Sequence, residues 1–413
     1  MEKSKALLSI GIPTYNRKKR LEKSIKTILN YSNDILILII DNASTDGTFA
    51  MMSQFKDNSN IIYIRNDKNI GYEKNINKVI FESKQYSDYT LYLGDDDLLE
   101  EKFFKDIPLI LRKHNPNLIL LNSRAFIGGQ IRINLEKDYI EHSIFNFMRL
   151  MLHITYGNVI VDNRLILEKD AQKYIGTSHT YLGAICEMLN KVQIAQGGIN
   201  VYITKFPYVC WGIKEDSEIY YSPDVLSGYG RFHARLPKNL QDDVFFHLKA
   251  YLLSVNPQGA SLTWKGYIEE RKKDISFSSD IRLLSLEEML NKYDVFKKYV
   301  NKKIIIFGAG KEGEKIFKLV NNKCNIYCFI DNDQTKWGDI FCNKEIKSPN
   351  ILDKDIDKEF LIVIAIHPVL GGEKVFTQLI ELNMKYKQDF VMMEDFYYDL
   401  ALEIVTEEHN KRC

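Results

Sequence analysis

Little in this chain points to covalent cross-linking, to a membrane or to a polyanionic partner. Its six cysteines (Cys186, Cys210, Cys324, Cys328, Cys342 and Cys413) are sparse over 413 residues and none forms a C-x-x-C pair. A disulfide framework is therefore excluded, and a reducing, cytoplasmic setting is expected. Cys324 and Cys328 are close enough for half a ligand set, but no matching Cys or His pair follows, so buried packing is expected rather than zinc. No run approaches the roughly 18 apolar residues of a membrane span. The start, MEKSKALLSIGIP, is charged and then only briefly apolar, unlike a leader. Lys plus Arg number 56 against 55 Asp plus Glu, so no global field favours nucleic acid or an anionic surface. Internal repeats and low-complexity segments are lacking.

What is present suffices for packed cores. Apolar residues make up 45% and aromatics 12%, which argues against extensive disorder, and the length exceeds one ordinary core. From Leu7 to Asn122, short apolar runs (Leu7 to Ile12, Ile35 to Ile40, Ile61 to Ile64, Thr90 to Leu93, Leu118 to Leu121) read as strands. Between them, Leu21, Ile25, Ile28 and Leu29, and then Ile76, Val79 and Ile80, recur at helical spacing. That alternation predicts an α/β fold with a mostly parallel sheet covered on both faces, its ligands bound beyond the carboxyl ends of the strands. Residues 140–211 read as mixed and 224–302 mainly as helices, punctuated by Pro223, Pro237 and Pro257. The strand-helix rhythm restarts with Lys303 to Phe307, Ile326 to Ile330 and Phe360 to Ile366. The expected domains are 1–222, a helical connector 223–300, and a second, smaller Rossmann-like α/β domain 301–413.

Three polar clusters sit at predicted strand ends. In SIGIPTYNR the strand breaks at Pro13 and presents Thr14, Tyr15, Asn16 and Arg17, a ring, hydrogen-bonding groups and a cation suited to a base and a phosphate. In IIDNASTDGT, Asp41 ends a strand. Its acceptor-only carboxylate suits the N–H edge of a uracil ring, or alternatively a cap or turn. In YLGDDDLL, Asp95, Asp96 and Asp97 are consecutive. Three adjacent carboxylates repel one another and raise their pKa values unless a cation is near, and hard oxygen ligands suit Mg2+ or Mn2+ held together with a substrate diphosphate.

With NIGYEKN (Asn69 to Asn75) between the second and third clusters, these motifs in this order closely resemble glycosyltransferase family 2 over roughly residues 5–215. The resemblance implies a GT-A sandwich binding a nucleotide-diphosphosugar and an inverting transfer to an acceptor hydroxyl. By it, Pro13, Thr14, Tyr15, Arg17 and Asp41 hold the base and phosphates. Asn69, Gly71 and Asn75 shape the donor pocket, Asp95 and Asp96 lie at the ribose and metal region, and Asp96 and Asp97 hold the metal. Gly94 departs from the pattern, standing where many members have the first aspartate of the acidic motif. Many members also carry a Glu-Asp pair about ninety residues further on, where this chain reads GTSHTYLGAICEML.

A general base is needed, and His179 is the first candidate. It precedes an apparent helix whose positive N-terminal end keeps an imidazole neutral. Glu187, two turns in, is the second. CWGIKEDSEIYYS (Cys210 to Ser222) is a possible flap with packing as its plainer role, and Arg231 and His233 are candidate phosphate contacts. Near the C-terminus, KKIIIFGAGKEGEKIFKLV sets Gly308, Gly310 and Gly313 between a strand and a helix, with Asp331 ending the next strand, the context of a second nucleotide site. Docking or a structural role is the other reading of that turn, and FIDNDQTKWGDIF and His367-Pro368 resemble domains found beside sugar-modifying enzymes. A UDP-sugar donor and a glycan, lipid-linked or protein acceptor are expected. A nucleotidyltransferase or bifunctional sugar-nucleotide enzyme and a non-catalytic scaffold are the alternatives.

Overall fold

The computed structural model describes residues 5–241, 265–273 and 296–403, apart from positions 33–34, 126–130, 132, 134, 149, 151–153, 212–222, 272, 297–298, 354–358, 367–370, 387, 394–395, 398 and 401–402. The flap segment after Trp211, His367-Pro368 and most of the expected helical connector thus lie outside the described residues. The described residues divide into two compact units, one within 1–245 and 262–279 and the other within 280–413.

The first unit runs β1 (Ala6–Thr14), α1 (Lys18–Tyr31), β2 (Leu36–Asp41), α2 (Thr48–Met52), β3 (Ile61–Arg65), α3 (Tyr72–Tyr86), β4 (Ser87–Tyr92), β5 (Leu98–Leu99), α4 (Glu101–His114), β6 (Leu118–Ala125), β7 (Tyr139–Glu141), α5 (Ile144–Met148), β8 (Val159–Asp162), α6 (Glu168–Gln172), α7 (Thr180–Gln196), β9 (Val201–Trp211) and α8 (Pro223–Arg235). Side chains alternate across a strand, and here both faces are apolar. Ile37 and Ile39 join Leu21, Ile25 and Phe103 on one face. Leu38 and Ile40 join Ile76, Val79 and Ile80, with much of α7, on the other. The helical stripes legible in the sequence are those that cover the sheet.

Nine strands form this sheet in the order β3-β2-β1-β4-β8-β6-β9-β5, with β7 on β9. The first four pair in parallel, as expected, and they carry the three polar clusters at one edge. Beyond β4 the expectation of a mostly parallel sheet is corrected, because β8 runs antiparallel to both β4 and β6 and the sheet is mixed. The cause is local. The turn at 155–158 delivers the chain directly to the carboxyl end of β4, where Val159 pairs with Tyr92, and without a crossover helix it can only run back.

The second unit runs β10 (Lys303–Phe307), α9 (Lys311–Val320), β11 (Asn325–Ile330), β12 (Ile340–Phe341), β13 (Lys344–Lys347), β14 (Phe360–Ile364), α10 (Gly372–Glu381) and β15 (Phe390–Met392). Its six strands are ordered β12-β13-β11-β10-β14-β15, all parallel pairs except β12 with β13. Cys324 packs with one core cluster and Cys328 with the other. Burial pushes both thiols up to about 11, away from the thiolate a metal needs.

Candidate functional site

The ends of β1 and β2 are laced into one surface. After Thr14 the chain turns through Asn16 at φ +54°, a left-handed conformation that asparagine tolerates. The Asn16 amide donates to Ser44 Oγ (2.9 Å), and its Oδ1 accepts from the Thr45 amide (2.7 Å). This leaves Tyr15 43% exposed beside the fully buried Asp41. Asp41 Oδ1 accepts from the Ser44 amide (2.9 Å), and Oδ2 accepts from the Tyr63 hydroxyl (2.6 Å) with Arg65 Nε at 3.4 Å. Tyr63 and Arg65 were not found from sequence, although they lie two residues apart on β3, on one face of the strand, and Arg65 pairs directly with Asp41 in register.

Asn69 and Asn75 belong to an amide network. Asn42 donates to Asn69 Oδ1 (2.9 Å) and accepts from Asn66 and from the Ile70 amide. Asn66 in turn donates to Asn75 Oδ1 (2.9 Å), and Asn75 donates to the Ile40 carbonyl at the end of β2 (3.1 Å). Asn69 Oδ1 also accepts from the amide of Gly71, whose φ of +85° suits glycine. The network fixes the loop before α3 against the β2 end, so these residues shape the surface through the backbone.

At the end of β4 the three aspartates differ. Asp95 is buried, accepts from Thr14 Oγ1 (3.0 Å) and has Arg17 Nη1 at 3.4 Å. Burial pushes its carboxyl up to about 6, with Asp96 adding to the rise and Arg17 and Thr14 opposing it. Asp96 faces two guanidiniums, Arg17 at 3.2 Å and Arg20 at 3.6 Å. Asp97 is buried, and its amide donates to the Gly94 carbonyl (3.3 Å). Arg20 was missed, yet it lies three residues beyond Arg17, on one helical face with it. At Gly94 a Cβ would stand 2.9 Å from both Asp96 Oδ1 and Asp97 Oδ2, so a side chain there requires these carboxylates to shift. Among the described residues no group of three or more His, Cys, Asp or Glu side chains forms a metal cage, so an ion here would need substrate oxygens as well.

His179 is the N-cap of α7. Its Nδ1 lies 2.8 Å from the Thr177 carbonyl, which assigns the proton to Nδ1 and leaves Nε2 as acceptor. The ring packs against Tyr229 and Phe232 of α8, and burial pulls its pKa down to about 4, opposed by the Thr177 carbonyl. Glu187 is placed otherwise: its carboxylate is bound by Lys173 and by the Tyr174 hydroxyl (2.9 Å). The loop before α7 is gripped by Glu73, whose carboxylate accepts from the amides of Gly176, Thr177 and Ser178 at 2.8, 3.0 and 2.6 Å. Arg231 donates to the Gly176 carbonyl (2.9 Å) and His233 is buried against Tyr229 and Phe232. Both take part in the packing of α8.

In the second unit, Gly308 (φ +118°) and Gly313 are required by packing, since a Cβ would meet Ile366 at 2.7 Å and the Gly308 carbonyl at 2.1 Å respectively. Gly310 opens onto free space. Asp331 Oδ2 accepts from the Ala309 amide (2.9 Å) and pairs with Lys336 (3.0 Å), so the acid stabilises the glycine turn itself.

The parallel βα edge of the first unit thus gathers an exposed aromatic, two arginines and several carboxylates. The profile of glycosyl transferase family 2 matches residues 9–174, and that of the C2185-like N-terminal domain matches residues 300–368. The abequosyltransferase RfbV of Salmonella typhimurium is 30% identical over 235 residues, covering 51% of this chain and 68% of that protein. The poly(ribitol-phosphate) beta-N-acetylglucosaminyltransferase TarS of Staphylococcus aureus is 18% identical over 208 residues, 48% of this chain but only 35% of that protein. A crystal structure of TarS 1-349 with UDP-GlcNAc aligns at 15% identity and a TM-score of 0.48 over 65% of this chain and 80% of that one. The chain belongs to glycosyl transferase family 2 and is a glycosyltransferase with an α/β fold. No described helix is long and apolar enough to cross a membrane.

Proposed function

We propose that this enzyme transfers a sugar, with inversion, from a UDP-sugar to a hydroxyl of a glycan, a lipid-linked oligosaccharide or a protein, with a divalent ion. The observation that carries this is the convergence of Thr14, Arg17 and Arg20 on Asp95 and Asp96 at the end of β4. Guanidiniums that neutralise carboxylates in the free protein can be re-aimed at a diphosphate when Asp96 and Asp97 engage a cation. The donor set fits Mg2+ or Mn2+, being hard carboxylate oxygens, with diphosphate oxygens to complete the coordination. Such an ion supplies Lewis-acid neutralisation of the leaving diphosphate. β1 runs through Pro13 and ends at Thr14, paired with Asp41, so that Tyr15 just beyond offers an exposed ring to the base, and Asn69, Gly71 and Asn75 hold the loop that borders the sugar.

In the transfer, the acceptor oxygen forms a bond to the anomeric carbon from the face opposite the diphosphate. The bond from that carbon to the phosphate oxygen breaks with its electron pair leaving on the diphosphate. The hydroxyl proton goes to a base, for which His179 Nε2 has the right tautomer, while Arg17 and Arg20 stabilise the departing charge. Glu187 is the second candidate, already engaged by Lys173 and Tyr174. Residues 1–222 are read as the transferase domain, 223–300 as a connector and 301–413 as a Rossmann-like domain. For that domain a docking role fits better than a second nucleotide: Glu312 and Glu314 occupy the first turn of α9, where they repel a phosphate.

The test is a thermal-shift panel of UDP-, GDP- and dTDP-sugars with and without Mn2+, since a ligand of the native state raises its melting temperature. A shift with UDP-sugars that needs the ion supports the proposal. Equal shifts in excess chelator, with the ion shown to be removed, would sink its metal-dependent part.

A further inference from the structure

The turn Thr155 to Asn158 makes contact with the acidic segment from a distant part of the chain. Asn158 Oδ1 accepts from the Thr155 amide (2.8 Å), and the Asn158 carbonyl accepts from the Leu121 amide (2.8 Å), which locks the turn to β6. The Tyr156 ring stacks on Tyr92 at the end of β4 (5.7 Å) and meets Tyr181 in the first turn of α7 edge-on (5.3 Å). Between these anchors stands Gly157, buried, at φ +151°. A Cβ on it would lie 2.3 Å from Asp97 Oδ2, far inside contact distance. Gly94 approaches the same oxygen from its own side, at 2.9 Å from a built Cβ. The Asp97 carboxylate is therefore confined between two backbones that are close only because neither bears a side chain.

We infer that Gly157 is a positioning residue for Asp97, setting the orientation in which this carboxylate meets a divalent cation. The inference rests on the metal role proposed for Asp97. Asp97 is buried and follows two other acids, so the orientation of its carboxylate decides how well its charge is compensated. A carboxylate with freedom to rotate would lose the preorganisation that metal affinity requires. The turn supplies the constraint through packing: β8 begins at Val159, beside the end of β4, so the antiparallel entry of β8 that makes the sheet mixed also brings Gly157 to the acid. Tyr156 extends the contact to α7, which joins the ion-facing carboxylate to the element that carries His179 at its N-cap.

The experiment compares Gly157→Ala, Asp97→Ala and the double variant in the full-length protein. It measures free Mn2+ by electron paramagnetic resonance in the presence of UDP, UDP binding without metal by calorimetry, and melting temperature. Gly157→Ala is expected to raise the Mn2+ Kd by about 10- to 100-fold, the usual cost of disturbing a group that orients a ligand. Metal-free UDP binding should stay within about twofold, because Tyr15 and Asp41 are untouched. In the Asp97→Ala background the same change should cost a smaller part of the melting temperature, since the oxygen it collides with is gone and only the backbone strain at φ +151° remains. If Gly157→Ala does not fold, recovery of folding in the double variant reads the same coupling. Equal losses in both backgrounds, or a double variant that fails to fold while Asp97→Ala folds, would overturn the inference. Asp97→Ala alone leaving Mn2+ binding intact would instead overturn the metal role beneath it, and the paired melting temperatures tell these two failures apart.

Discussion

His179 offers a prediction whose size follows from the structure. Its imidazole is drawn from the ordinary 6.5 to about 4 by burial against Tyr229 and Phe232. The folded state therefore stays neutral where the unfolded chain takes up a proton. For a base with a depressed folded pKa, stability is complete above about pH 6.5, declines as pH falls, and levels off near pH 4. Between pH 7 and pH 5 this single group removes about 2 kcal/mol from the folding free energy. Urea unfolding of the native protein and of His179→Ala at pH 7, 6 and 5 reads it directly. The variant is less stable at pH 7, having lost the Thr177 bond and ring packing, but its stability should fall with acid by about 2 kcal/mol less than that of the native protein. Parallel losses would refute the argument, as would a His179 imidazole resonance titrating near 6.5. A base neutral throughout pH 6 to 8 also places the acid limb of kcat/KM, which reports the free enzyme, near pH 4. The same depression makes the ring a modest proton acceptor, so this role asks Nε2 to gain basicity when a donor diphosphate and its ion are bound.

Further outcomes follow from the site. Asp97→Asn should abolish metal-dependent donor binding while circular dichroism stays unchanged. Full activity of that variant would remove Asp97 from the metal role. His179→Ala should lower turnover by about 10²- to 10⁴-fold with little change in donor affinity. Glu187→Gln should chiefly lower the melting temperature, by loosening Lys173 and Tyr174. Unchanged transfer by His179→Ala beside a dead Glu187→Gln would move the base to Glu187. Gly310→Leu in the full-length protein should leave UDP-sugar binding and stability unaffected, because a side chain there enters open space. A nucleotide bound by calorimetry to the native protein and lost on this change would establish a second site.

Strand periods, helical stripes and the position of polar residues after apolar runs were local properties, and they placed β1 to β4, α1 and α3 and the three clusters within a few residues. The strand-turn-helix at Gly308 was legible for the same reason: glycine spacing and an apolar strand act within one short segment. Gly94, though visible as a departure, showed no neighbours from sequence, because the groups a side chain there would have to displace are the folded carboxylates of Asp96 and Asp97. Arg20 lay in view at helical spacing but acquired a role only when α1 set it beside Asp96.

The sequence by itself determined which elements form and which chemistry stands at the ends of the first strands, since burial of apolar faces and the ending of strands just past Pro13, at Asp41 and before Gly94 depend on neighbours in the chain. Only the tertiary structure decided that β8 enters antiparallel, that Glu73 holds the amides before α7 and that Gly157 closes on Asp97. Those contacts join residues dozens of positions apart, and their geometry exists only once both cores have packed and fixed each backbone to within the reach of a hydrogen bond or a missing Cβ.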